Sequence, residues 1–442
     1  MSAAYGKSAP VRGEEKSAMR IAIIGNGITG VSAALSIRRL QPDWEIVMIS
    51  GESSFHYSRP ALMYIFMGHM SYKDTKPYED SFWKKNRIDL VRGWVTEIDA
   101  AGKSLIMHEK DPILFDRLLI ATGSRSNRFG WPGQDLEGVQ GFYSLMDLRL
   151  LYENVKGARS AVIVGGGLIG IELAEILHSR NIHVTFLVRE NSYWTNVLPI
   201  EESRMINRVI LEQGIDLRLL TELKEIVGND SGKVRGIMTG KDEFIECQIV
   251  GLTAGVSPNI TLAKKSGIKT GRGIQVDWSF RTDTPDVFAA GDCAEIVTEG
   301  EERNLIQQVW YTGKSQGRVA GEVIAGGQSK YDPGIWYNSA KFFDLEYQTY
   351  GMVTNVPAEG ETSFYWEHPD HSRSIRIVTK DGTLRGINVM GLRYSHRVCE
   401  SWVAQKRSLE YVLDHLGDAN FDPEFYEKCE AEMIKEIRKQ AA

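Results

Sequence analysis

Residues 21–40, IAIIGNGITGVSAALSIRRL, are the strongest indication of the fold class. Its first residues form a short apolar run typical of a buried parallel strand, and a glycine-rich turn then leads into small and apolar residues at helical spacing. WEIVMIS, residues 44–50, predicts the next strand. Together these segments predict one βαβ unit, in which a helix connects two parallel strands.

The same order of elements returns later in the chain. SAVIVGGG at 160–167 predicts a strand and a turn, LIGIELAEILHSRN at 168–181 a helix, and HVTFLVR at 183–189 a second strand. The two units are far enough apart for each to belong to its own domain. The predicted fold class is therefore α/β, with two Rossmann-like domains.

Both turns match the pattern G-x-G-x-x-G between a strand and a helix. The first glycine permits the tight turn, the second lets backbone N–H groups approach a diphosphate, and the third lets helix and strand pack closely. One such match is weak evidence, but two matches in full βαβ context predict two bound dinucleotides. The residues assigned to the first dinucleotide are Gly25, Asn26, Gly27, Ile28, Thr29 and Gly30, and those assigned to the second are Gly165, Gly166, Gly167, Leu168, Ile169 and Gly170.

The acidic residue that commonly binds a ribose at the end of the second strand is displaced in both units. The first unit has Ser50 and then Glu52, and the second has Arg189 and then Glu190. An arginine here favours the 2′-phosphate of NADPH, whereas a glycine rather than an alanine at Gly170 favours NADH. Because these signals oppose each other, the nicotinamide nucleotide is predicted only as NAD(P)H.

Composition excludes several classes of protein. The 442 residues carry a net charge of −6, so no overall basic character predicts nucleic-acid binding. No apolar run approaches the roughly 20 residues of a membrane-spanning helix, and the polar start of the chain lacks the apolar segment of a secretory signal. Four cysteines are too few for a disulfide scaffold, so we expect a cytoplasmic protein with reduced thiols, without a metal site or a membrane partner.

Three further segments complete a family resemblance. FDRLLIATG at 115–123 lies between the two glycine turns, and LTAGVSPN at 252–259 and TPDVFAAGDCAE at 284–295 follow the second, so that the five motifs stand in a characteristic order. With those turns they resemble the pyridine-nucleotide-dependent FAD oxidoreductases of the glutathione-reductase fold, over roughly residues 20–330. The resemblance implies FAD and NAD(P)H as cofactors and hydride transfer from the nicotinamide to flavin N5.

The resemblance also implies a domain order and a set of site residues. It implies a flexible tail at 1–19, an FAD domain built from 20–145 and 257–330, an inserted NAD(P) domain at 146–256, and a C-terminal α+β domain at 331–442. Beyond the first turn, the residues expected to line FAD are Ser50, Glu52, Arg59, Pro60, Ala121, Thr122, Gly123, Gly291 and Asp292. Beyond the second turn, those expected at NAD(P)H are Glu172, Arg189 and Gly255.

The region after the first βαβ unit indicates which branch of the family is closest. No cysteine occurs before Cys247, so the thiol relay of disulfide reductases is missing. FHYSRPALMY at 55–64 instead resembles the Y-S-[KR]-P segment of rubredoxin reductases and related reductases of small electron carriers. By that similarity Arg59 and Glu172 are the expected catalytic residues, paired beside flavin N5, and Arg59 would stabilise the anionic reduced flavin.

The expected acceptor is a small redox protein such as rubredoxin or ferredoxin. A type II NADH:quinone reductase is the first alternative, and it requires a membrane-binding C-terminal face. A slow-turnover flavin-based redox sensor or interaction protein is the second alternative, favoured by the unmatched C-terminal extension. Residues 396–439 are predicted to be helical, and Phe425, Cys429, Met433 and Ile437 form one apolar stripe for packing on the same domain or for a homodimer contact.

Overall fold

The computed structural model describes residues 18–298, 300, 303–421, 424 and 428–442. Most of the tail predicted at 1–19 and Phe425 of the predicted stripe lie outside the described residues. Eleven α-helices and 25 strands occur among the described residues, with short 3₁₀ turns at Arg59–Ala61, Tyr72–Thr75 and Leu416–Ala419.

The first part of the chain builds a βαβ unit and a small antiparallel sheet. Its elements are, in order, β1 (Arg20–Ile24), α1 (Ile28–Leu40), β2 (Glu45–Ser50), α2 (Leu62–Phe66), α3 (Asp80–Lys85), β3 (Ile88–Arg92), β4 (Val95–Asp99), β5 (Ser104–Met107), β6 (Ile113–Leu114), β7 (Arg117–Ile120) and β8 (Ser124–Ser126). Strands β1, β2, β3 and β7 pair in parallel, and β4, β5 and β6 pair antiparallel beside them.

The second part of the chain builds a separate parallel sheet. Its elements are β9 (Val139–Gln140), α4 (Leu145–Asn154), β10 (Ser160–Val164), α5 (Leu168–His178), β11 (His183–Val188), α6 (Ile200–Glu212), β12 (Asp216–Leu219), β13 (Leu223–Gly228), β14 (Val234–Thr239), β15 (Phe244–Glu246), β16 (Ile249–Leu252) and β17 (Val256–Pro258). The parallel order is β12-β11-β10-β16-β9, and β13, β14 and β15 form an antiparallel sheet. Strand β9 therefore pairs within this sheet, although the predicted boundary at residue 145 placed it in the first unit.

The chain then returns to the first sheet. It adds α7 (Thr261–Lys265), β18 (Ile274–Val276), β19 (Val287–Ala289), β20 (Ala294–Ile296) and α8 (Trp310–Ile324). Strand β19 pairs in parallel with β7 and completes the order β19-β7-β1-β2-β3. Strands β8 and β17 pair antiparallel where the chain passes between the two sheets.

Helices α1 and α8 pack closely on each other through glycine. A Cβ at Gly317 would lie 2.2 Å from the carbonyl oxygen of Thr29, and a Cβ at Gly321 would lie 2.6 Å from that of Ala33. Only glycine fits at this approach, because real Cβ contacts are never so short. Helix α8 therefore packs directly on α1, the helix that begins at the first glycine turn.

The C-terminal part is a five-stranded antiparallel sheet with helices on one face. It contains β21 (Tyr337–Phe342), β22 (Leu345–Gly351), β23 (Glu361–Glu367), β24 (Ser374–Lys380), β25 (Thr383–Met390), α9 (His396–Ala404), α10 (Leu409–Asp414) and α11 (Glu430–Ala441). One face of this sheet packs on α9, α10 and α11, and the other packs on the second unit through residues such as Phe342 and Tyr347. We call this five-stranded sheet the C-terminal sheet.

The predicted C-terminal helix is divided into separate pieces. Lys406 has φ +51, a left-handed conformation that ends α9, and the side chain of Ser408 then caps α10. The predicted stripe is buried within its own domain, since Cys429, Met433 and Ile437 belong to the C-terminal core. None of the helices in the described ranges is long and apolar enough to cross a membrane.

Candidate functional site

The first glycine turn has a conformation that only glycine adopts easily. Gly25 has φ +113, and a Cβ there would lie 2.2 Å from the carbonyl oxygen of Ala121, which directly follows the neighbouring strand β7. A Cβ at Gly30 would lie 2.1 Å from the carbonyl oxygen of Gly25. A Cβ at Gly27, by contrast, would meet nothing within 4 Å. The first and third glycines thus fold the turn, while the second leaves a space open.

The second glycine turn repeats this geometry. Gly165 has φ +121, and its Cβ would lie 2.8 Å from the carbonyl of Thr253. A Cβ at Gly170 would lie 2.9 Å from the carbonyl oxygen of Gly165, and a Cβ at Gly167 would again meet nothing within 4 Å. The two turns are therefore equivalent in three dimensions as well as in sequence.

Both open positions lie at a helix N-terminus that is suited to a diphosphate. Gly27 and Gly167 are the N-cap residues of α1 and α5, and no side chain among the described residues caps either helix. Neither helix has an acidic residue in its first turn, where one would repel an anion. The first N–H groups of each helix are thus left for a ligand, and the residues present fit FAD at one turn and NAD(P)H at the other.

Buried polar side chains support the first turn. The Nδ2 of Asn26 donates to the carbonyl oxygen of Ser53 at 3.0 Å, and the Nδ1 of His56 lies 2.8 Å from the carbonyl oxygen of Asn26. Burial lowers the pKa of His56, so the ring is neutral and donates through Nδ1. Asn26 was predicted from the motif, but the supporting roles of Ser53 and His56 have no motif signal.

Arg59 pairs with Glu52, and the predicted Arg59–Glu172 pair is wrong. The guanidinium binds both Glu52 oxygens, at 3.1 and 2.8 Å, and also donates to the carbonyl oxygen of Tyr143 at 2.6 Å. Burial alone would raise the pKa of Glu52, but the charge and hydrogen bonds of Arg59 outweigh it and hold that pKa below its usual range. The pair forms because Glu52 follows β2 by only two residues and faces the 3₁₀ turn that carries Arg59 and Pro60.

Glu52 has two further partners. It accepts hydrogen bonds from the hydroxyl of Tyr57 and, at 2.9 Å, from the backbone N–H of Leu145 at the start of α4. Its carboxylate is therefore fully engaged within the protein, although it was predicted to lie near the FAD ribose. The neighbouring Ser50 also bonds locally, because its Oγ accepts from the N–H groups of Glu52 and Ser53.

Tyr143 joins several residues that were predicted for FAD. Its ring lies under the guanidinium of Arg59, 4.6 Å from the ring centroid, and its hydroxyl lies 3.3 Å from Oδ2 of Asp292. Ser124 donates to the same Asp292 oxygen at 3.1 Å. Burial raises the pKa of Asp292 and that of Tyr143, the latter to about 12. Arg59 and Asp292 are thus brought together around a tyrosine that sequence reasoning missed.

Glu172 stands apart from Arg59. It lies on α5 just after Gly170, and burial, with the nearby charge of Glu175, raises its pKa to about 7. Among the residues that the structure describes, no cation forms an ion pair with Glu172. Its carboxyl is therefore poised between the neutral and the charged form near neutral pH.

The end of β11 carries the residues predicted to meet the nicotinamide nucleotide's ribose. Arg189 is largely exposed, and its Nε lies 2.7 Å from an oxygen of Glu190. Gly255, with φ +83, lies between β16 and β17, where the chain passes from the second sheet back to the first.

The remaining predicted residues fall on the two turns or on the strand ends beside them. Ile28 and Thr29 begin α1, and Leu168 and Ile169 begin α5. Gly166 lies against Val188, and the hydroxyl of Thr122 donates to the carbonyl oxygen of Asn259. Gly123 and Gly291 have the left-handed φ values +67 and +80, and Gly291 lies beside Thr29.

The four cysteines are all buried. Cys247, Cys293 and Cys399 are free thiols, and Cys429 accepts a hydrogen bond from Arg373 at 3.3 Å. The thiol of Cys293 lies beside the carbonyl oxygens of Ile120 and Ala290. These positions agree with packing roles, and no metal-binding group of three or more ligands occurs within the described ranges.

Fold and site together define a class of protein. In each of two parallel sheets, a strand leads through a glycine turn into a helix N-terminus. This arrangement is typical of an oxidoreductase that uses FAD and a nicotinamide dinucleotide, and this chain is one. The model of the pyridine nucleotide-disulphide oxidoreductase family matches residues 19–317. The chain belongs to that family.

Curated relatives agree with this assignment, and a solved structure agrees with the fold. The chain is 31% identical to an NADH oxidase of Methanocaldococcus jannaschii over 76% of each sequence. It is 26% identical to a probable ferredoxin reductase of Castellaniella defragrans, over 83% of this chain and 91% of that protein. The structure of an NAD-dependent persulfide reductase from A. fulgidus superposes with a TM-score of 0.81 at 24% identity, covering 96% of this chain and 83% of that one.

Proposed function

We propose that this chain takes a hydride from NAD(P)H onto bound FAD and passes the electrons to a small redox carrier protein. The observation that carries the proposal is the matched pair of turns. In each, tightly packed first and third glycines leave an open second glycine at an uncapped helix N-terminus. Two such anion sites on two separate sheets suit one flavin dinucleotide and one nicotinamide dinucleotide.

The first turn would hold the diphosphate of FAD. Asp292 would accept a hydrogen bond from a ribityl hydroxyl, and Thr122 and Gly123 would lie along the same wall. Tyr143 supports this wall, because its hydroxyl contacts Asp292 while its ring underlies Arg59. The wall would orient the flavin and exclude water from one side of it.

Arg59 would supply positive charge to the flavin ring. When bound, FAD accepts the hydride from NAD(P)H and releases electrons to the next carrier. A fixed guanidinium stabilises negative charge that develops on the ring, and it does so without exchanging a proton. Glu52 holds the guanidinium with two hydrogen bonds and thereby fixes its position.

The second turn would hold the diphosphate of NAD(P)H. Glu172 would lie beside the nicotinamide. Because its pKa is about 7, its carboxyl can be neutral there, and a neutral carboxyl does not repel the hydride as it leaves the nicotinamide. Arg189 and Glu190 would contact the adenosine ribose. Arg189 would favour a 2′-phosphate, and Glu190 would favour a free 2′-hydroxyl.

A small redox protein is the proposed acceptor because a thiol route is poorly supported. Cys293 is buried against two backbone carbonyls, and Cys247 is buried in the core of the second unit. Relatives that include a probable ferredoxin reductase and a ferredoxin–NAD(+) reductase component match over 83% and 64% of this chain, respectively. A homodimer and a cytoplasmic location are proposed on the resemblance and the cysteine content alone.

Anaerobic titration tests the function. The purified yellow protein is titrated with NADH and, separately, with NADPH while the flavin absorbance near 450 nm is followed. The reduced protein is then mixed with rubredoxin, a ferredoxin or a soluble quinone. We expect bleaching by at least one nucleotide and fast reoxidation by an iron–sulfur carrier. Flavin that neither nucleotide reduces would overturn the proposal.

The quinone reductase alternative has less structural support. It needs an apolar C-terminal face for the membrane, but the predicted stripe residues Met433 and Ile437 are fully buried in their own domain. Reoxidation by quinone that far exceeds reoxidation by iron–sulfur carriers would favour it. Turnover too slow to sustain steady-state dye reduction would favour the sensor alternative.

A further inference from the structure

A buried tyrosine supports the second glycine turn from behind. The hydroxyl of Tyr193 donates to the carbonyl oxygen of Gly167 at 2.8 Å, and the tyrosine is fully buried. The same hydroxyl would lie 3.1 Å from a Cβ at Gly170. Tyr193 thus touches the second and third glycines of the turn, and no motif of the sequence predicts it.

The next residue has a strained backbone that the C-terminal sheet holds in place. Trp194 has φ +63, a conformation that is unfavourable for a bulky residue and persists only when its surroundings enforce it. Its ring packs on two aromatic rings of the C-terminal sheet, 5.5 Å from Phe342 and 5.6 Å from Tyr347 between centroids. This packing holds the segment in the conformation that directs Tyr193 toward Gly167.

Helix α6 holds the same segment by hydrogen bonds. Asn207 accepts from the backbone N–H of Tyr193 at 2.9 Å and donates to Oγ of Ser192 at 2.7 Å. The hydroxyl of Ser203 donates to the carbonyl oxygen of Tyr193, and its Oγ lies 2.7 Å from the Oγ of Ser192. Both backbone polar groups of Tyr193 are therefore fixed by one face of α6.

The C-terminal sheet in turn anchors the start of α6. Arg376 of β24 binds the two oxygens of Glu202 at 2.7 and 2.8 Å, and it binds Glu201 at 2.7 Å. Arg376 is 7% exposed and Glu202 is completely buried. A buried, bidentate ion pair adds little net stability, but it fixes the orientation of the elements it joins.

We propose that Tyr193 is a positioning residue for NAD(P)H, and that the C-terminal sheet sets nucleotide affinity through Trp194 and α6. This inference rests on the proposed function, because it takes the second turn as the NAD(P)H site. The Tyr193 hydroxyl fixes the Gly167 carbonyl before the nucleotide arrives, so less conformational entropy is lost on binding. The sheet that provides this support lies beyond the family match at residues 19–317.

A pair of matched tyrosine variants tests the first half of the inference. Binding of NAD⁺ and of NADP⁺ to the oxidised holoprotein is measured by calorimetry, because neither ligand reduces the flavin. We expect Tyr193→Phe to weaken the preferred ligand about fivefold to tenfold, as loss of one buried hydrogen bond implies, with FAD content and flavin potential unchanged. Tyr350→Phe is the control, since its buried hydroxyl also donates to a backbone carbonyl, at 3.0 Å, but on the opposite face of the C-terminal sheet.

Arg376→Lys tests the second half. It keeps the charge but loses the bidentate geometry, so the Kd should rise about twofold to fivefold. In the Tyr193→Phe background the same change should add almost nothing, because both residues act through one turn. Glu202→Gln replaces Arg376→Lys if the lysine variant does not fold.

Each result has a definite meaning. A Kd for Tyr193→Phe within twofold of the wild type overturns the positioning role. An unchanged Kd in Arg376→Lys, or an effect that adds in full to that of Tyr193→Phe, overturns the role of the C-terminal sheet. A wild-type holoprotein that binds neither NAD⁺ nor NADP⁺ overturns the inference together with the proposed function, and thus differs from failure of the inference alone.

Discussion

At the scale of single residues, Glu52 decides where Arg59 points. The sequence segment around Arg59 predicted that an arginine would lie near the flavin, but it could not identify the partner. The family resemblance predicted Glu172 as that partner and placed Glu52 near the FAD ribose, whereas the geometry of the turn after β2 brings Glu52 within 2.8 Å of Arg59. Tyr143 was missed for the same reason, because its contacts with Arg59 and Asp292 join segments distant in sequence.

Arg59→Ala should change the flavin without unfolding its domain. Loss of a nearby positive charge destabilises the reduced ring, so the midpoint potential should fall by roughly 30 mV, equivalent to about 1.4 kcal/mol for a two-electron couple. Flavin reduction by NAD(P)H should slow by about tenfold. Spectroelectrochemistry and stopped-flow absorbance measure the two effects.

The matched control for that variant is Arg39→Ala. Arg39 is mostly exposed and forms a long ion pair with Glu322, at 3.4 Å. It should leave the potential and the rate unchanged. A potential and a rate in Arg59→Ala equal to those of the wild type would remove Arg59 from the site.

Glu172 should make the protein less stable as pH rises. Its pKa in the folded protein is about 7, above the 4.5 of an unperturbed glutamate, so the folded state binds more protons than the unfolded state between these two pH values. Stability contributed by this group is therefore greatest below about pH 4.5 and is lost as pH rises through about 7. The loss is about 1–3 kcal/mol, allowing for solvent screening of a partly exposed side chain.

Replacing Glu172 by glutamine removes that titration. The difference in Tm between pH 5.5 and pH 8, measured without NAD(P)H, should be smaller in Glu172→Gln than in the wild type. Glu153→Gln is the control, because the Glu153 side chain is 67% exposed and pairs with the equally exposed Lys156. An identical Tm difference in Glu172→Gln and the wild type would contradict the raised pKa.

At the scale of elements, local pattern predicted each βαβ unit but not how helices pack on one another. A strand, a glycine turn and a helix leave a local signal, because their requirements lie within about ten residues. The contact between α1 and α8 joins residues almost 300 positions apart. Its signal was present as glycines spaced by four at 313, 317 and 321, but the partner helix could not be identified from that spacing.

Gly317→Ala should weaken this contact. Alanine normally stabilises a helix relative to glycine, by roughly 1 kcal/mol. Here its Cβ would lie 2.2 Å from the Thr29 carbonyl oxygen, so α1 and α8 must separate, and we expect a net destabilisation of about 1–3 kcal/mol. The affinity for FAD should also fall, since α1 begins at the first glycine turn.

A glycine-to-alanine substitution at a position with free space around it is the control for Gly317→Ala. A Cβ at Gly417 would meet nothing within 4 Å, so Gly417→Ala should leave the Tm and the FAD content close to those of the wild type. Thermal unfolding monitored by circular dichroism and by flavin release measures both variants. A Gly317→Ala protein as stable as the wild type would contradict the close packing of α1 and α8.

At the scale of the whole molecule, the second parallel sheet is inserted between β7 and β19 of the first. The order of motifs predicted this insertion only through the family resemblance, since pairing of β19 with β7 has no local signal. The C-terminal sheet was less predictable. Its strands alternate recognisably, but nothing local shows that one face would cover α6 and the other α9, α10 and α11.

A cysteine-free protein should retain electron transfer from NAD(P)H to an artificial dye. The four buried thiols occupy packing positions, so replacing all of them by alanine removes volume but no redox group. We expect a lower Tm but a rate of dye reduction within about threefold of the wild type for the folded, flavin-loaded protein. A loss of more than about tenfold would point to a redox thiol.

The most direct test of the central claim, that each turn holds its own dinucleotide, is anaerobic NADH and NADPH titration of two glycine variants. Gly27→Ala and Gly167→Ala each add one methyl group to an open space, so both should fold. If the claim is correct, Gly27→Ala is purified with little FAD, and Gly167→Ala is yellow but bleached only at nucleotide concentrations at least about tenfold higher than the wild type needs. Two variants that keep full flavin content and bleach as the wild type does would contradict it.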